Sequence, residues 1–246
     1  MNCNTYEDNY KVSSELFFSF SSNKRFPKTI EKIICSEQIN MSGWNSATEI
    51  TEVDCSSATF TDCLLDSSQY YTITYLRLPS TVTSISSCKR VKNLIGNKNG
   101  EEITIKRSAF ESGKIEKVQD CKIVSIAYGA FRNCSNLISI SKITSKDIIF
   151  PQDTFYGCGK LVSIDFEEGS GVSVIERWAL DNTSNLQIAI PCSEKGISIG
   201  YAINNSKIKF SYKGEEGVIA INQESDSATV KNANVQKLII LNTVQP

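Results

Sequence analysis

The chain has 246 residues, 40% of them hydrophobic and 22% charged, a composition that excludes disorder, collagen and a membrane bundle and leaves ample length for a continuous core. Its 26 basic and 27 acidic residues leave a formal net charge of −1, so there is no basic excess to hold nucleic acid or an anionic membrane. Histidine is absent, which removes Ser-His-Asp and Cys-His catalysis and imidazole metal sites together.

Residues 1–25 begin MNCNTYEDNYKVSSELFFSF, where acids precede a short apolar run. No basic segment leads a long apolar one, so no cleavable export signal is expected. LFFSFSS (16–22) reads as a strand and as the candidate cap. From 26 to 246 the chain reads as one unit. FPKTIEKIICS (26–36) loosely matches LPSTVTSISSC (78–88), ATFTDC (58–63) loosely matches GAFRNC (129–134), and ITIKRSAF (103–110) leads into the strongest segment.

There IAYGAFRNCSNLISI (126–140), FPQDTFYGCGKLVSI (150–164) and IERWALDNTSNLQIA (175–189) fall in register. Phe131, Phe155 and Leu180 are each followed six residues later by Leu137, Leu161 and Leu186, and preceded by five by Ile126, Phe150 and Ile175; the period is 24, then 25 residues. ISIGYAINNSKIKF (197–210) is a looser copy, and ATVKNANVQKLIIL (228–241) can be fitted with Val230, Val235 and Leu238 as anchors, for about eight turns in all. A period near 24 is too short for paired-helix repeats and lies within the roughly 20 to 29 residues of leucine-rich repeats. The runs LISI, LVSIDF and KLIIL are short and β-favouring, so each turn should supply a strand stacked in parallel on the next, with the AFxxC segment as a tight helical turn or irregular corner. The longest apolar stretches, such as LIIL (238–241), fall far below the roughly 20 residues of a membrane span.

The phrases LPSTVTSI, GAFRNCSNLISI and TFYGCGKLVSI resemble BspA-type leucine-rich repeats, most specifically in AF-x-x-C-x-x-L-x-x-I at 130–140 and, with Thr154 for Ala, at 154–164. The resemblance is strong over 72–191 and degenerate on either side. It implies a mainly β repeat solenoid, a right-handed superhelix of short parallel strands with short helical turns or corners. It also implies a recognition role, often on cell surfaces, and offers no catalytic residues to carry over. Without a visible export signal the cytoplasm is the expected compartment; the resemblance points instead to the cell surface.

In such a solenoid the residues between strand anchors face outward. That face contains Ser139, Ser141, Ser163, Asp165 and Gln187, small polar side chains suited to protein or glycan contact. A non-enzymatic interaction or adhesion module is therefore expected; the alternative is a parallel β-helix enzyme acting on polysaccharide, which needs acids or bases on consecutive rungs. Ser141 and Asp165, at aligned positions, make no such ladder.

The remaining constellations read as structure. Nine cysteines without any C-x-x-C pair suggest buried reduced thiols rather than a zinc or redox site. Cys134 and Cys158 share a repeat position, so they fall on adjacent rungs beneath the Phe anchors, and Cys63 follows the same logic. Glu101-Glu102, Glu167-Glu168 and Glu215-Glu216 each lie beside glycine and read as turn carboxylates, without a calcium-loop pattern. The glycines of 96–100 and 169–171 lack phosphate-loop spacing. No cofactor and no metal is expected. Sequons at Asn40, Asn133, Asn182 and Asn204 match chance frequency in a chain this rich in Ser and Thr. Trp44 and Trp178 read as core or edge packing residues, with a contact surface as the second reading for Trp178, in the corner of ERWAL before an anchor. Finally, VQKLIILNTVQP is an apolar strand where a polar capping segment should stand, so the expectation is either a truncated member of a longer family or end-to-end self-association through this strand.

Overall fold

A computed structural model describes residues 10–12, 29–35, 48–65, 71–201, 203, 205–221 and 234–241. Apart from 10–12, the proposed cap at 1–25 lies outside these residues, as do Trp44, Asn40, Asn204, Cys3 and Val230. The chain winds through about nine turns of a mainly β parallel solenoid, one more than the anchors alone suggest.

From residue 48 to residue 221 each turn supplies two strands rather than one. The first ribbon holds β1 (Tyr10–Val12), β2 (Thr29–Cys35), β3 (Thr48–Asp54), β5 (Tyr71–Arg77), β7 (Val91–Ile95), β9 (Lys117–Gln119), β11 (Ser139–Ile143), β13 (Ser163–Phe166), β15 (Ile188–Pro191) and β17 (Ile208–Tyr212). The second holds β4 (Asp62–Leu64), β6 (Ser84–Ser87), β8 (Glu102–Ile105), β10 (Lys122–Ile126), β12 (Ile148–Phe150), β14 (Val172–Ile175), β16 (Ser198–Ile199), β19 (Val218–Ile221) and β20 (Lys237–Ile240). Strands pair in parallel with the equivalent strand of the next turn, as in Ile30 with Ile50 and Ile50 with Ile73. Two pairings depart from this: β11 also meets β10 of the other ribbon at Ile143 and Ile123, and β18 (Glu215–Glu216) runs antiparallel to β17 across a turn at Lys213 and Gly214.

Alternation sets the packing: a strand such as β5 buries Tyr71, Ile73 and Leu76 and turns Tyr75 and Arg77 outward. The repeat anchors all lie inside, with Phe131, Phe155, Leu137, Leu161, Leu186 and Phe150 fully buried and Leu180, Ile126 and Ile175 nearly so. Phe110 and Phe131 stack at 5.0 Å and 4°, and Phe131 and Phe155 at 5.5 Å and 14°. One aromatic column thus runs through three corners.

The corners between second and first ribbon take the irregular form; no helix occurs among the described residues. Left-handed residues stand two before and two after each anchor: Ser108 and Ser112 around Phe110, Gly129 and Asn133 around Phe131, Asp153 and Gly157 around Phe155, Trp178 and Asn182 around Leu180. Reversals this frequent interrupt a right-handed helix. Backbone N–H groups are satisfied between turns instead, with Phe110 donating to Ala130 (2.9 Å), Phe131 to Thr154 (3.0 Å) and Phe155 to Ala179 (2.9 Å).

Two loose matches fail in register. Cys63 lies in β4 opposite Ile85 rather than in a corner, and residues 29–35 belong to the first ribbon whereas Ser84–Ser87 belongs to the second. Leu238 is no buried anchor either: it stands 40% exposed on β20, because β20 pairs with β19 at the end of the described stack.

Candidate interaction surfaces

The outward side chains of the first ribbon line up by register. Ser139 pairs with Lys117 on one side and Ser163 on the other, and Gln187 donates its backbone N–H to Val162 at 3.2 Å, which places it beside Ser163. Lys117, Ser139, Ser163 and Gln187 therefore form one row. Ser139 and Ser163 are half-buried and Gln187 is exposed. The next row is less regular. The register slips between Ile140 and Ile143, so Ser141 and Lys142 together face exposed Asp165. Ser141 Oγ accepts the Asp120 N–H at 3.1 Å, and Lys142 pairs with Glu167 at 2.8 Å. Ile138 and Val162, on the adjoining row, are 37% and 48% exposed.

Toward the N-terminus the same row changes character. Lys32 lies 3.4 Å from Glu52 and 3.2 Å from Asp54, and Arg77 pairs with Glu52 at 2.5 Å. Charge satisfied internally gives way, near Ser139, to small polar groups beside open aliphatic ones.

A second surface follows the corners; of its residues the sequence singled out only Trp178, and first as a packing residue. Arg107 sits 4.9 Å over the Tyr128 ring, Arg132 5.9 Å over Tyr156, and Arg177 3.8 Å over Trp178. Tyr201 adds a ring 6.4 Å from Trp178 at 67°. Between these lies a buried carboxylate: Asp153 accepts the Tyr128 hydroxyl at 3.1 Å and lies 3.7 Å from Arg132, which also approaches Glu111 at 3.9 Å. One turn on, burial first and Asp153 second push the Asp181 carboxyl above its ordinary range. The column was hard to read because its residues differ from turn to turn while keeping their place.

The thiols behave as packing. All eight described cysteines are buried and free. Cys134 and Cys158 do fall on adjacent rungs, and each donates to a backbone carbonyl of the preceding turn. The Cys63 and Cys88 sulfurs lie 3.3 Å apart, and contact with Cys88 followed by burial pushes the Cys63 thiol up. Cys158 is pushed up by its contact with Cys134 and then by burial.

The acidic pairs sit outside and partly on lysines: Glu167 on Lys142 at 2.8 Å, Glu215 on Lys237 and Glu216 on Lys209 at 3.7 Å. Asp147 ties its own turn to the second turn after it, accepting the buried Ser193 hydroxyl and pairing with Lys195 at 2.8 Å. Among the described residues no group of three or more His, Cys, Asp or Glu is arranged to hold a metal ion, and no helix is long and apolar enough to cross a membrane.

A family model described as the BspA type leucine-rich repeat region matches the chain in 6 copies, over residues 65–187 and 103–225. No curated protein matches, and no solved structure does. The chain belongs to the BspA-type leucine-rich repeat family.

Proposed function

We propose that this BspA-type leucine-rich repeat chain is a non-enzymatic interaction or adhesion module that binds a protein or a surface glycan on the outer face of its first ribbon. The observation that carries the reading is the row Lys117, Ser139, Ser163 and Gln187, held in register by backbone pairing beside exposed Ile138 and Val162. A rigid face needs little ordering on binding, and apolar groups rimmed by polar ones are how contact surfaces combine affinity with solubility. Its small side chains leave room for a partner's own. Printed arrays of glycans and of short peptides, probed with the full chain, test this. Joint replacement Ser139→Arg, Ser163→Arg and Asp165→Lys should weaken the array binding about tenfold with an unchanged urea midpoint. Undiminished binding would remove the face from the proposal.

Self-association belongs to the same proposal. On β20, Leu238 and Ile240 are 40% and 41% exposed, and an apolar edge strand readily pairs with a second copy. A monodisperse monomer by light scattering at high concentration would reject it.

One observation favours the enzymatic alternative. Asp153 and Asp181 place carboxyls on neighbouring turns, one held by Tyr128 and Arg132 and the other raised by burial, an arrangement that resembles a general-acid pair. New reducing ends from a panel of polysaccharides, lost in Asp181→Asn, would establish it; no products from the unaltered chain would dismiss it.

A further inference from the structure

The residue two before the corner anchor is left-handed in four successive turns, Ser108, Gly129, Asp153 and Trp178, with φ of 53°, 59°, 60° and 60°. Glycine adopts this conformation freely, and Asp153 gains the Tyr128 and Arg132 contacts there. A bulky aromatic residue gains nothing from the backbone and is a steric outlier with positive φ, the kind of strain that collects at functional sites. The core does not ask for this ring. Trp178 is half-buried, and its ring contacts are Arg177 at 3.8 Å and Tyr201 at 6.4 Å, both exposed.

Arg177 differs from Arg132, the arginine two corners earlier that stands one residue after its anchor rather than three before it. Arg132 lies near Glu111 and Asp153, whereas Arg177 has no ion pair and no side-chain hydrogen bond among the described residues; it lies over Trp178 and 5.8 Å from the Tyr201 ring. Stacking occupies the flat face of a guanidinium and leaves its in-plane N–H fork free, the geometry that matches a carboxylate. Beside that fork, Trp178 and the 44% exposed Tyr201 are residue types that anchor protein contacts. The charged fork, rather than an open pair of ring faces, sets the chemistry of the site, and it favours an anionic group over a neutral sugar.

We propose that Arg177, Trp178 and Tyr201 form a second interaction site that takes an acidic peptide segment of a protein partner. A carboxylate is held by the Arg177 fork, and a neighbouring apolar side chain packs against the two rings. The site is separate from the sheet face, so either can fail without the other.

The test is an array of short peptides, each acidic sequence printed beside its twin with Asn and Gln for Asp and Glu, probed with the full chain. The acidic forms bind and the amide twins do not. Trp178→Gly, which can keep the backbone conformation that Gly129 holds two corners earlier, lowers binding about tenfold or more while the urea midpoint holds or rises. Arg177→Glu abolishes binding, and the Ser139, Ser163 and Asp165 replacements leave it intact. Equal binding of the amide twins, no binding to any peptide, or full binding after Arg177→Glu overturns the proposal. A lower midpoint for Trp178→Gly assigns the ring to folding and overturns it as well.

Discussion

The Cys134 thiol donates a hydrogen bond of 2.9 Å to the Phe110 carbonyl one turn earlier, and Cys158 repeats the bond to Phe131 at 3.0 Å. Cysteine recurs at this position because the site wants a small buried side chain with one donor. Cys134→Ala removes the sulfur and its bond, but the Phe110 carbonyl keeps the Gly113 N–H at 2.7 Å. A loss of about 1 to 2 kcal/mol is expected. Cys134→Ser, which retains a donor, should recover part of it, and urea midpoints of the three proteins check the order.

Phe131 is the middle ring of the stack formed with Phe110 and Phe155 and is fully buried. Phe131→Ala should cost about 3 to 5 kcal/mol through lost transfer energy and a cavity spanning two inter-turn contacts. Leu180 fills the equivalent place two turns later, so Phe131→Leu should cost less than half as much. If both variants unfold at the same denaturant concentration, the column does not carry the corners.

The central turns were legible because identity and spacing recur together: Phe131, Phe155 and Leu180 with Leu137, Leu161 and Leu186 all reach the core. The second strand of each turn was harder to see. Segments such as Asp62–Leu64 and Ile148–Phe150 are only three residues long and owe their conformation to pairing between turns rather than to local pattern. The left-handed positions were hidden for the same reason, since Ser, Gly, Asp and Trp share no propensity. Cys63 misled by mimicking the corner phrase while lying one strand away from it. Among the candidate face residues, Ser139 and Ser163 share a row, whereas the slip at Ser141 depends on an extra residue against Asp165 that only the paired backbone reveals.

Glycine substitutions should separate packed bends from open turns. A Cβ on Gly96 would lie 2.5 Å from the Asp120 carbonyl oxygen and 2.7 Å from Cys121 Sγ, and Gly96 N–H is bound to Gln119 at 2.8 Å, so the backbone cannot retreat. Gly96→Ala is expected to cost about 3 kcal/mol. At Gly169, with φ of 78° and open space around it, Ala meets only the conformational cost of about 1 kcal/mol. Thermal midpoints in the reverse order would show that this bend yields.

Alkaline pH should weaken the fold before it titrates the lysines. Burial pushes Cys121 up to about 12 and Cys192 up to about 11 from an ordinary 9.0. Above pH 9 the unfolded chain releases these protons and the folded chain keeps them, so the unfolded state binds fewer protons and stability falls as pH rises. The contribution is whole below pH 9.0 and is lost progressively toward 11 for Cys192 and toward 12 for Cys121. Each thiol can contribute a slope of up to about 1.4 kcal/mol per pH unit. Urea midpoints at intervals from pH 7 to 10 should therefore be level at first and decline beyond 9, and Cys121→Ala should flatten the decline. A level profile to pH 10 would mean that these thiols ionise as readily in the folded chain as in the unfolded one.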